Sequence, residues 1–359
     1  QDNGVRLLDV NNDGYMDAVI GNEYLRQTRI WDPQAKRWNT SAFPVRLVDI
    51  ADDGTRHEAG ARFGVLQPSG NASFFISNGH ERSVWHFDGT AWIEDTTMLR
   101  GLGQALKTVD ANRDSGVRLR DTDNDGICEI IVGNPVTRAV LKWASSRKRW
   151  QPATFNLPPG VTIVRRDGSD NGTRFVDINE DGFLDIIQSN EKRYSLHLYI
   201  PQPLTGWNIG WPREVTSGRR TDPNAIPMIV RGGENNNNGA WFHSKHLWVQ
   251  NEDTAHLPNL VDRRSYVDLL RGVLPLPKST DEALRSMELL PGYKIELMAA
   301  EPLVADPVAF EWDTAGRLWV VEMADYPLGL DGKGQHGGRV RWLEDSRGDA
   351  RYDRSTVFL

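Results

Sequence analysis

A chain that repeats itself at a fixed step of 56 residues has few folds open to it. Gly4, Gly60, Gly116 and Gly172 fall on that step, as do Arg6, Arg62, Arg118 and Arg174 with Leu7, Phe63, Leu119 and Phe175 beside them. Gly14, Gly70, Gly126 and Gly182 keep it, and so do Asn22, Asn78, Asn134 and Asn190 and the aromatics Trp31, Phe87, Trp143 and Tyr199. A period near 50 residues marks a propeller, a solenoid or an array. Each unit carries short β-type runs separated by turn residues: 5–8, 18–20 and a run ending at Trp31 in the first, 195–200 in the fourth. None reaches helical length and none shows a 3.6-residue period, which sets aside a solenoid of helix pairs. About four short strands per unit is the size of one propeller blade. The 13 tryptophans suit the wedges between blades.

The expected fold class is therefore all-β: a β-propeller of 56-residue blades, with four full units and a partial fifth. The fifth opens at Gly239-Ala240-Trp241-Phe242 after the polar loop 234–238 and closes at Asn251; its opening Gly and closing Asn are 12 residues apart, against 18 from Gly4 to Asn22, so its connecting loop is shortened. The propeller is expected to span 1–254. A linker over 255–280 follows, with a short helix at 265–270 capped by Ser265, an extended stretch Leu274-Pro275-Leu276-Pro277, and a second helix opening on Ser279 and Thr280 with Glu282 completing a capping box. Strands are expected again at 294–298, 308–312, 318–321 and 339–343, so 281–359 reads as the first blade of a second propeller. Gln1 in place of Met, and a strand still running at 355–359, read as a piece cut at both ends.

The strongest chemical signal lies in three loops in identical register. The first is Asp9, Asn11, Asp13, Gly14, Tyr15 and Asp17; the third is Asp121, Asp123, Asp125, Gly126, Ile127 and Glu129; the fourth is Asp177, Asn179, Asp181, Gly182, Phe183 and Asp185. Oxygen side chains stand at positions 1, 3, 5 and 9, glycine at the sharp turn of position 6, and position 7 offers its carbonyl. Ca²⁺ takes 6–8 such hard oxygens in irregular geometry, whereas Mg²⁺ demands a tight octahedron. An EF-hand needs a bidentate Glu at position 12 and flanking helices; position 12 here is Ile20, Val132 or Gln188, and the flanks are strands. The second unit keeps Gly70 but carries Val65, Gln67, Ser69 and Ser73 in place of the acids, so the turn itself does not require them. With four carboxylates against three, the loop at Asp121 is expected to bind Ca²⁺ most tightly.

Composition excludes several classes. A net charge of −7 argues against nucleic acid, and the single Cys128 rules out an intramolecular disulfide or a Cys-based metal site. No run of about 18 apolar residues exists to span a membrane. His243 and His246 lack a third ligand, and neither they nor Arg347-Gly348-Asp349 are taken as a site.

The pattern G-x-R-[LF] followed by D-x-[DN]-x-D-G-x-x-[DE] and a strand resembles the FG-GAP/VCBS repeat, the integrin-alpha-like calcium-binding β-propeller, over residues 1–254. That resemblance implies structural Ca²⁺ at the three loops and none at the second. Further on, Pro291-Gly292-Tyr293, Asp306-Pro307, Asp313 to Gly316-Arg317-Leu318-Trp319 and Gly337-Gly338-Arg339 follow the order found at the opening of the planctomycete-type membrane-bound dehydrogenase domain. This second resemblance covers 280–359 and points to glucose/sorbosone dehydrogenases, propellers that hold pyrroloquinoline quinone (PQQ) and are often followed by a haem c domain. It implies an extracytoplasmic oxidoreductase of a sugar or alcohol. The family's catalytic residues lie in later blades, so no catalytic or quinone-binding residue transfers. Glu322, Asp325 and Tyr326 follow an inner-type strand and either line a channel mouth or satisfy backbone groups. The alternative function is a non-enzymatic calcium propeller that binds a polysaccharide or a protein. A periplasmic, cell-surface or secreted setting suits weak Ca²⁺ sites.

Overall fold

The computed structural model describes residues 2–359 apart from 52, 203–207, 234–235, 272–277, 288, 291 and 326–333. Tyr326, the stretch Leu274-Pro275-Leu276-Pro277 and the start of the 234–238 loop lie outside the described residues. The chain is all-β with few helices, and it divides into two compact units, Gln1–Pro275 and Leu276–Leu359.

Among the described residues the first unit carries five larger antiparallel sheets in succession, each a meander of neighbouring strands, with two-stranded ribbons Val48–Ile50 with Arg56–Glu58 and Val109–Asp110 with Arg113–Asp114 between the first three. The first sheet holds Val5–Leu8, Asp17–Gly21, Arg26–Asp32 and Arg37–Ala42. The second holds Arg62–Val65, Ala72–Ser77, Arg82–Phe87 and Trp92–Glu94. The third holds Val117–Arg120, Glu129–Gly133, Arg138–Ala144 and Arg149–Pro152, and the fourth Thr173–Val176, Asp185–Ser189, Arg193–Ile200 and Gly210–Arg219. A fifth sheet has three strands, Ala240–His243, His246–Val249 and Asp262–Ser265. The last of these lies inside the expected linker: its Arg263 guanidinium covers the Trp248 ring at 5.3 Å, which fastens a charged strand to the sheet.

One core fills each gap between successive sheets, and the two-residue period of a strand explains how. Phe74 and Ile76 face the first sheet and pack with Val19 and Phe43, while Phe75 between them faces the third and packs with Leu119 and Ile130. Ile131 and Ile186 share the next core with Tyr199 and Trp211; Ile187 turns the other way, onto Leu247 and Val249. Strands covered on both faces, such as Ala72–Ser77 and Glu129–Gly133, are therefore buried throughout, whereas Asp17–Gly21 alternates. The buried indoles keep their N–H groups satisfied: Trp92 donates to Thr28 Oγ1 at 2.7 Å, Trp150 to the Met98 carbonyl at 2.8 Å and Trp211 to the Leu184 carbonyl at 2.7 Å.

The repeated polar residues hold the sheets in step. Asn78 donates from Nδ2 to the Ala59 carbonyl and accepts at Oδ1 from the backbone of His80 and Glu81; Asn22, Asn134 and Asn190 do the same in their units. Gly172 has φ +78°, and a Cβ there would lie 2.3 Å from the Ser189 carbonyl oxygen, so the step of glycines marks a place where two backbones touch. Each repeated arginine pairs with an acid four residues earlier: Arg6 with Asp2 at 2.7 Å, Arg62 with Glu58 at 2.6 Å, Arg118 with Asp114 at 2.7 Å and Arg174 with Asp170 at 2.7 Å. Arg62 also reaches forward to Asp114 at 3.0 Å, which ties the second unit to the third. Burial works against the Asp114 charge, yet the hydrogen bond from Arg118 and the field of Arg62 hold its pKa below the usual carboxylate value.

Both expected helices form. Ser265 caps Tyr266–Leu269 by accepting from the Asp268 N–H at 3.0 Å, and Ser279 and Glu282 form the reciprocal box that opens Thr280–Arg285. The second unit carries one four-stranded antiparallel sheet: Pro307–Trp312, Leu318–Glu322, Arg339–Glu344 and Arg354–Val357. The turn at Asp313 forms as expected, its carboxylate accepting from the backbone of Ala315 and Arg317. The strand expected at 294–298 does not form: these residues find no strand to pair with among the described ones, and the Tyr352 N–H bonds the Met298 carbonyl at 3.0 Å instead. Among the described residues no helix is long and apolar enough to cross a membrane.

Candidate metal centres

The three acidic loops each join the first two strands of a sheet, and they share one hydrogen-bond pattern. At position 1, Asp9 accepts from the backbone N–H of Asp13 at 3.1 Å and of Gly14 at 2.8 Å. Asp121 does so from Asp125 at 3.2 Å and Gly126 at 2.9 Å, and Asp177 from Asp181 at 3.0 Å and Gly182 at 2.9 Å. At position 5, Asp13, Asp125 and Asp181 accept from the N–H of Tyr15, Ile127 and Phe183, the position-7 residues, at 2.9, 2.9 and 3.0 Å. Position 4 is left-handed in all three, with φ of 58° at Asn12, 55° at Asn124 and 59° at Glu180, and glycine at position 6 is left-handed as well. The loops differ at position 3. Asn11 and Asn179 donate their amides to Asp13 at 2.9 Å and to Asp181 at 2.8 Å; Asp123 has no proton to give.

Position 9 carries a role that the loop motif does not announce. Asp17 and Asp185 are fully buried, and both oxygens of each are engaged by backbone. Asp17 accepts from Val10 at 2.9 Å and from Trp31 at 2.8 Å; Asp185 accepts from Ile178 at 2.9 Å and from Tyr199 at 2.9 Å. These aspartates staple the loop to the third strand of their sheet; Asp185 Oδ2 also accepts from the Asn179 N–H at 3.3 Å, so a second lone pair remains on both oxygens of Asp17 and on Oδ1 of Asp185. Glu129, one methylene longer, takes the Thr122 N–H at 2.9 Å and the Thr122 hydroxyl at 2.5 Å on a single oxygen, and its other oxygen faces the loop with the Lys142 ammonium 3.8 Å away. One oxygen each of Asp121, Asp123 and Glu129 lie within 4.8 Å of one another, the one trio of His, Cys, Asp or Glu so arranged among the described residues.

The electrostatics favour a cation. Burial, reinforced by Asp13 and Asp9, lifts the Asp17 pKa, and burial with Asp181 and Asp177 nearby lifts that of Asp185 well above the carboxylate range. Burial raises Asp121 as well and pushes Glu129 up to about 7, with the Asp123 charge adding to it. Two side-chain oxygens at position 3, Asn11 Oδ1 and Asp123 Oδ1, are buried with no hydrogen-bond partner among the described residues. A hard cation bound by these loops would engage both and relieve the crowded charge, so the residues present fit Ca²⁺.

The second loop shows what the fold does without acids. Ser73, buried at position 9, accepts from the Leu66 N–H at 3.3 Å, the place Asp17 fills in the first unit. Ser73 pairs across the sheet with His86, whose Nδ1 lies 2.8 Å from the Ser73 hydroxyl and whose Nε2 lies 3.0 Å from Gln67 Nε2. Burial keeps the His86 pKa low although Asp95 pulls it upward. Position 4 is Pro68, whose ring forbids the left-handed backbone of the other loops. Neighbouring loops nevertheless touch: a Cβ on Gly70 would meet Asn12 Nδ2 at 2.4 Å, and one on Gly182 would meet Asn124 Nδ2 at 3.4 Å. A cleft of about 610 Å³ opens beside the first loop, lined by Asn11, Asp13, Tyr15, Trp31, Asn39 and Thr90 among others.

In the second unit, Glu322 is buried and pairs with Arg341 at 2.9 Å while accepting from the Ala305 N–H at 2.7 Å; Asp325 accepts from the Gly337 N–H at 2.9 Å. Each of these two acids thus satisfies a backbone N–H, and Glu322 an arginine as well. Cys128 is buried between the second and third sheets, its thiol pushed up to about 11 by burial.

Residues 279–359 match a family described as a domain of unknown function, DUF7133. No curated protein matches the chain. Among solved structures, an Agrocybe aegerita lectin that recognises non-reducing terminal N-acetylglucosamine is similar at 15% identity and a TM-score of 0.38, covering 59% of this chain and 50% of its own. The Photorhabdus luminescens Tc holotoxin pore is similar at 14% identity and a TM-score of 0.42, covering 96% of this chain and 16% of its own. The chain thus spans half or less of the length of each. At these TM-scores the likeness carries neither fold nor function across.

Proposed function

We propose that the first unit is a calcium-stabilised β-propeller of the FG-GAP/VCBS type, and that it forms the front of an extracytoplasmic oxidoreductase whose second propeller begins near residue 281. The observation that carries the metal reading is the single hydrogen-bond pattern shared by the loops at Asp9, Asp121 and Asp177, together with the orphaned oxygens of Asn11 and Asp123. The ring is supported by the sequence period and by the cores that join each sheet to the next. In this reading Asp9, Asp13, Asp121, Asp123, Asp125, Glu129, Asp177 and Asp181 supply oxygens to Ca²⁺. Asn11 and Asn179 add neutral ones, and Asp17 and the Oδ1 of Asp185 add the lone pairs left by their backbone bonds. The metal supplies positive charge where the chain has concentrated carboxylates, and its role is structural.

The oxidoreductase reading rests on the order of motifs over 280–359. The substrate class is a sugar or alcohol, the quinone is PQQ in the full-length protein, and a haem c domain is the electron acceptor expected downstream. A second reading is a binding module for a polysaccharide or a protein, favoured by the polar, aromatic-lined cleft beside the first loop. Calorimetric titration of the chain with Ca²⁺ after EDTA treatment tests the metal reading: binding at the acidic loops is expected, and none would refute it. Glycan-array binding without oxidation of any sugar by the full-length protein would favour the second reading over the first.

A further inference from the structure

The repeat places one side chain of the third strand directly across from position 9 of each loop. That position is Ile30 in the first unit, His86 in the second, Lys142 in the third and Leu198 in the fourth. In the second sheet Ser73 pairs opposite His86, and in the third the neighbouring pair Ile130 and Leu141 sets Lys142 across from Glu129. The Lys142 ammonium enters the acidic loop. It bonds Asp123, bonds Asp125 at 2.9 Å, and lies 3.8 Å from Glu129. These are positions 3, 5 and 9, two of which, Asp123 and Glu129, belong to the trio of oxygens that converges in this loop. Burial opposes the lysine charge, but the bonds to Asp123 and Asp125 outweigh it and raise its pKa.

We infer that Lys142 is the resident cation of the third loop, a tethered ammonium that a divalent ion must displace. Counting charges supports this: four carboxylates and one ammonium leave a formal −3, the value of the first loop with Asp9, Asp13 and Asp17 alone. Lys142 also replaces the amide that Asn11 and Asn179 donate to the position-5 aspartate, since Asp123 cannot donate. An intramolecular cation is present at high effective concentration and is not diluted away. The four-carboxylate loop therefore binds Ca²⁺ most weakly of the three, the reverse of the order that ligand charge alone gives. The ion pairs keep this loop ordered when the metal is removed.

This inference rests on the calcium reading of the loops, and the experiment separates the two. Ca²⁺ is titrated calorimetrically into the full chain, its Lys142→Met and Lys142→Arg variants, and the Lys142→Met/Asp125→Ala double variant. Each protein is also melted in EDTA. Expected for wild type are two tighter sites and one weak one. Lys142→Met tightens the weak site at least tenfold, the double variant loses that gain, and Lys142→Arg behaves as wild type. In EDTA, Lys142→Met melts below wild type and Lys142→Arg does not. Wild type and Lys142→Met with the same third-site affinity and the same melting temperature in EDTA would overturn the role of Lys142 while leaving the calcium reading intact. No Ca²⁺ binding by any of the proteins would refute the calcium reading; a lower EDTA melting temperature for Lys142→Met would then still support the tethered cation.

Discussion

Glu129 offers a quantitative test of how much strain the third loop carries without metal. Its carboxyl is almost wholly buried, and its pKa stands at about 7 against 4.5 for an ordinary glutamate. A carboxyl with a higher pKa folded than unfolded holds its proton more firmly in the fold. Its stabilising contribution is complete below the unfolded value and is lost as pH rises through the folded one. The window is therefore pH 4.5 to 7. A gap of about two and a half pH units at about 1.4 kcal/mol each gives a total loss of about 3.5 kcal/mol between strongly acid pH and pH 8, of which about 2.5 kcal/mol falls above pH 5. Asp17, Asp121 and Asp185 are raised too and act in the same direction. Asp2 is lowered by its bond to Arg6 and Asp114 by Arg118 against burial; both act in the opposite sense below the ordinary aspartate value. The perturbation is Glu129→Gln, which keeps the shape and an oxygen for the Thr122 N–H while removing the titration. Urea unfolding of wild type and variant in EDTA at pH 5 and pH 8 measures it. From pH 5 to pH 8 wild type should lose about 2.5 kcal/mol more than the variant, and saturating Ca²⁺ should erase that difference because the ion favours the charged carboxylate. Parallel pH dependence of the two proteins, or a wild type that gains on the variant toward pH 8, would show that burial does not hold the Glu129 proton.

Ca²⁺ should raise the melting temperature of the chain, stabilising it by about 2.7 kcal/mol per site at a 100-fold excess over Kd, and Mg²⁺ should do so much less; a melt indifferent to both ions and to EDTA would leave the loops as metal-free turns. Gly172→Ala should destabilise by about 2–3 kcal/mol in chemical denaturation, because φ is +78° and the added methyl meets the Ser189 carbonyl; an unchanged midpoint would refute the close approach. Phe74→Ala should cost about 3–5 kcal/mol, since Phe74 is fully buried among Phe43, Phe63, Trp85 and Trp92; a loss under 1 kcal/mol would mean the first core is not packed as described.

The period, the strands of the first four units and the register of the acidic loops were legible because each is a local pattern repeated in sequence. Three things were not. The acids at 2, 58, 114 and 170 repeat as faithfully as the arginines they pair with, and the arginines drew attention only as markers of the period. The strand Asp262–Ser265 has no apolar alternation, and its pairing comes from an arginine lying over a tryptophan, a tertiary contact. Lys142 lies outside the loop motif and varies from unit to unit, so only the pairing of strands brings it to Asp123 and Asp125. The same limit applies at 294–298, where the local pattern suits a strand but no partner edge is present among the described residues.

Pro68 fixes the order in which the second loop could ever change. The metal-type loops need a left-handed residue at position 4, at 55° to 59°, and proline is held near about −65°. Returning acids to 65, 67, 69 and 73 would place four charges on a backbone unable to gather them, beside a histidine network built for neutrality. Every such intermediate would carry the repulsion and none of the binding. The proline must go first, and its departure alone brings no gain. The step is a ratchet: a unit can leave the metal-type set by one substitution, yet it can return only through several that help nothing until the last.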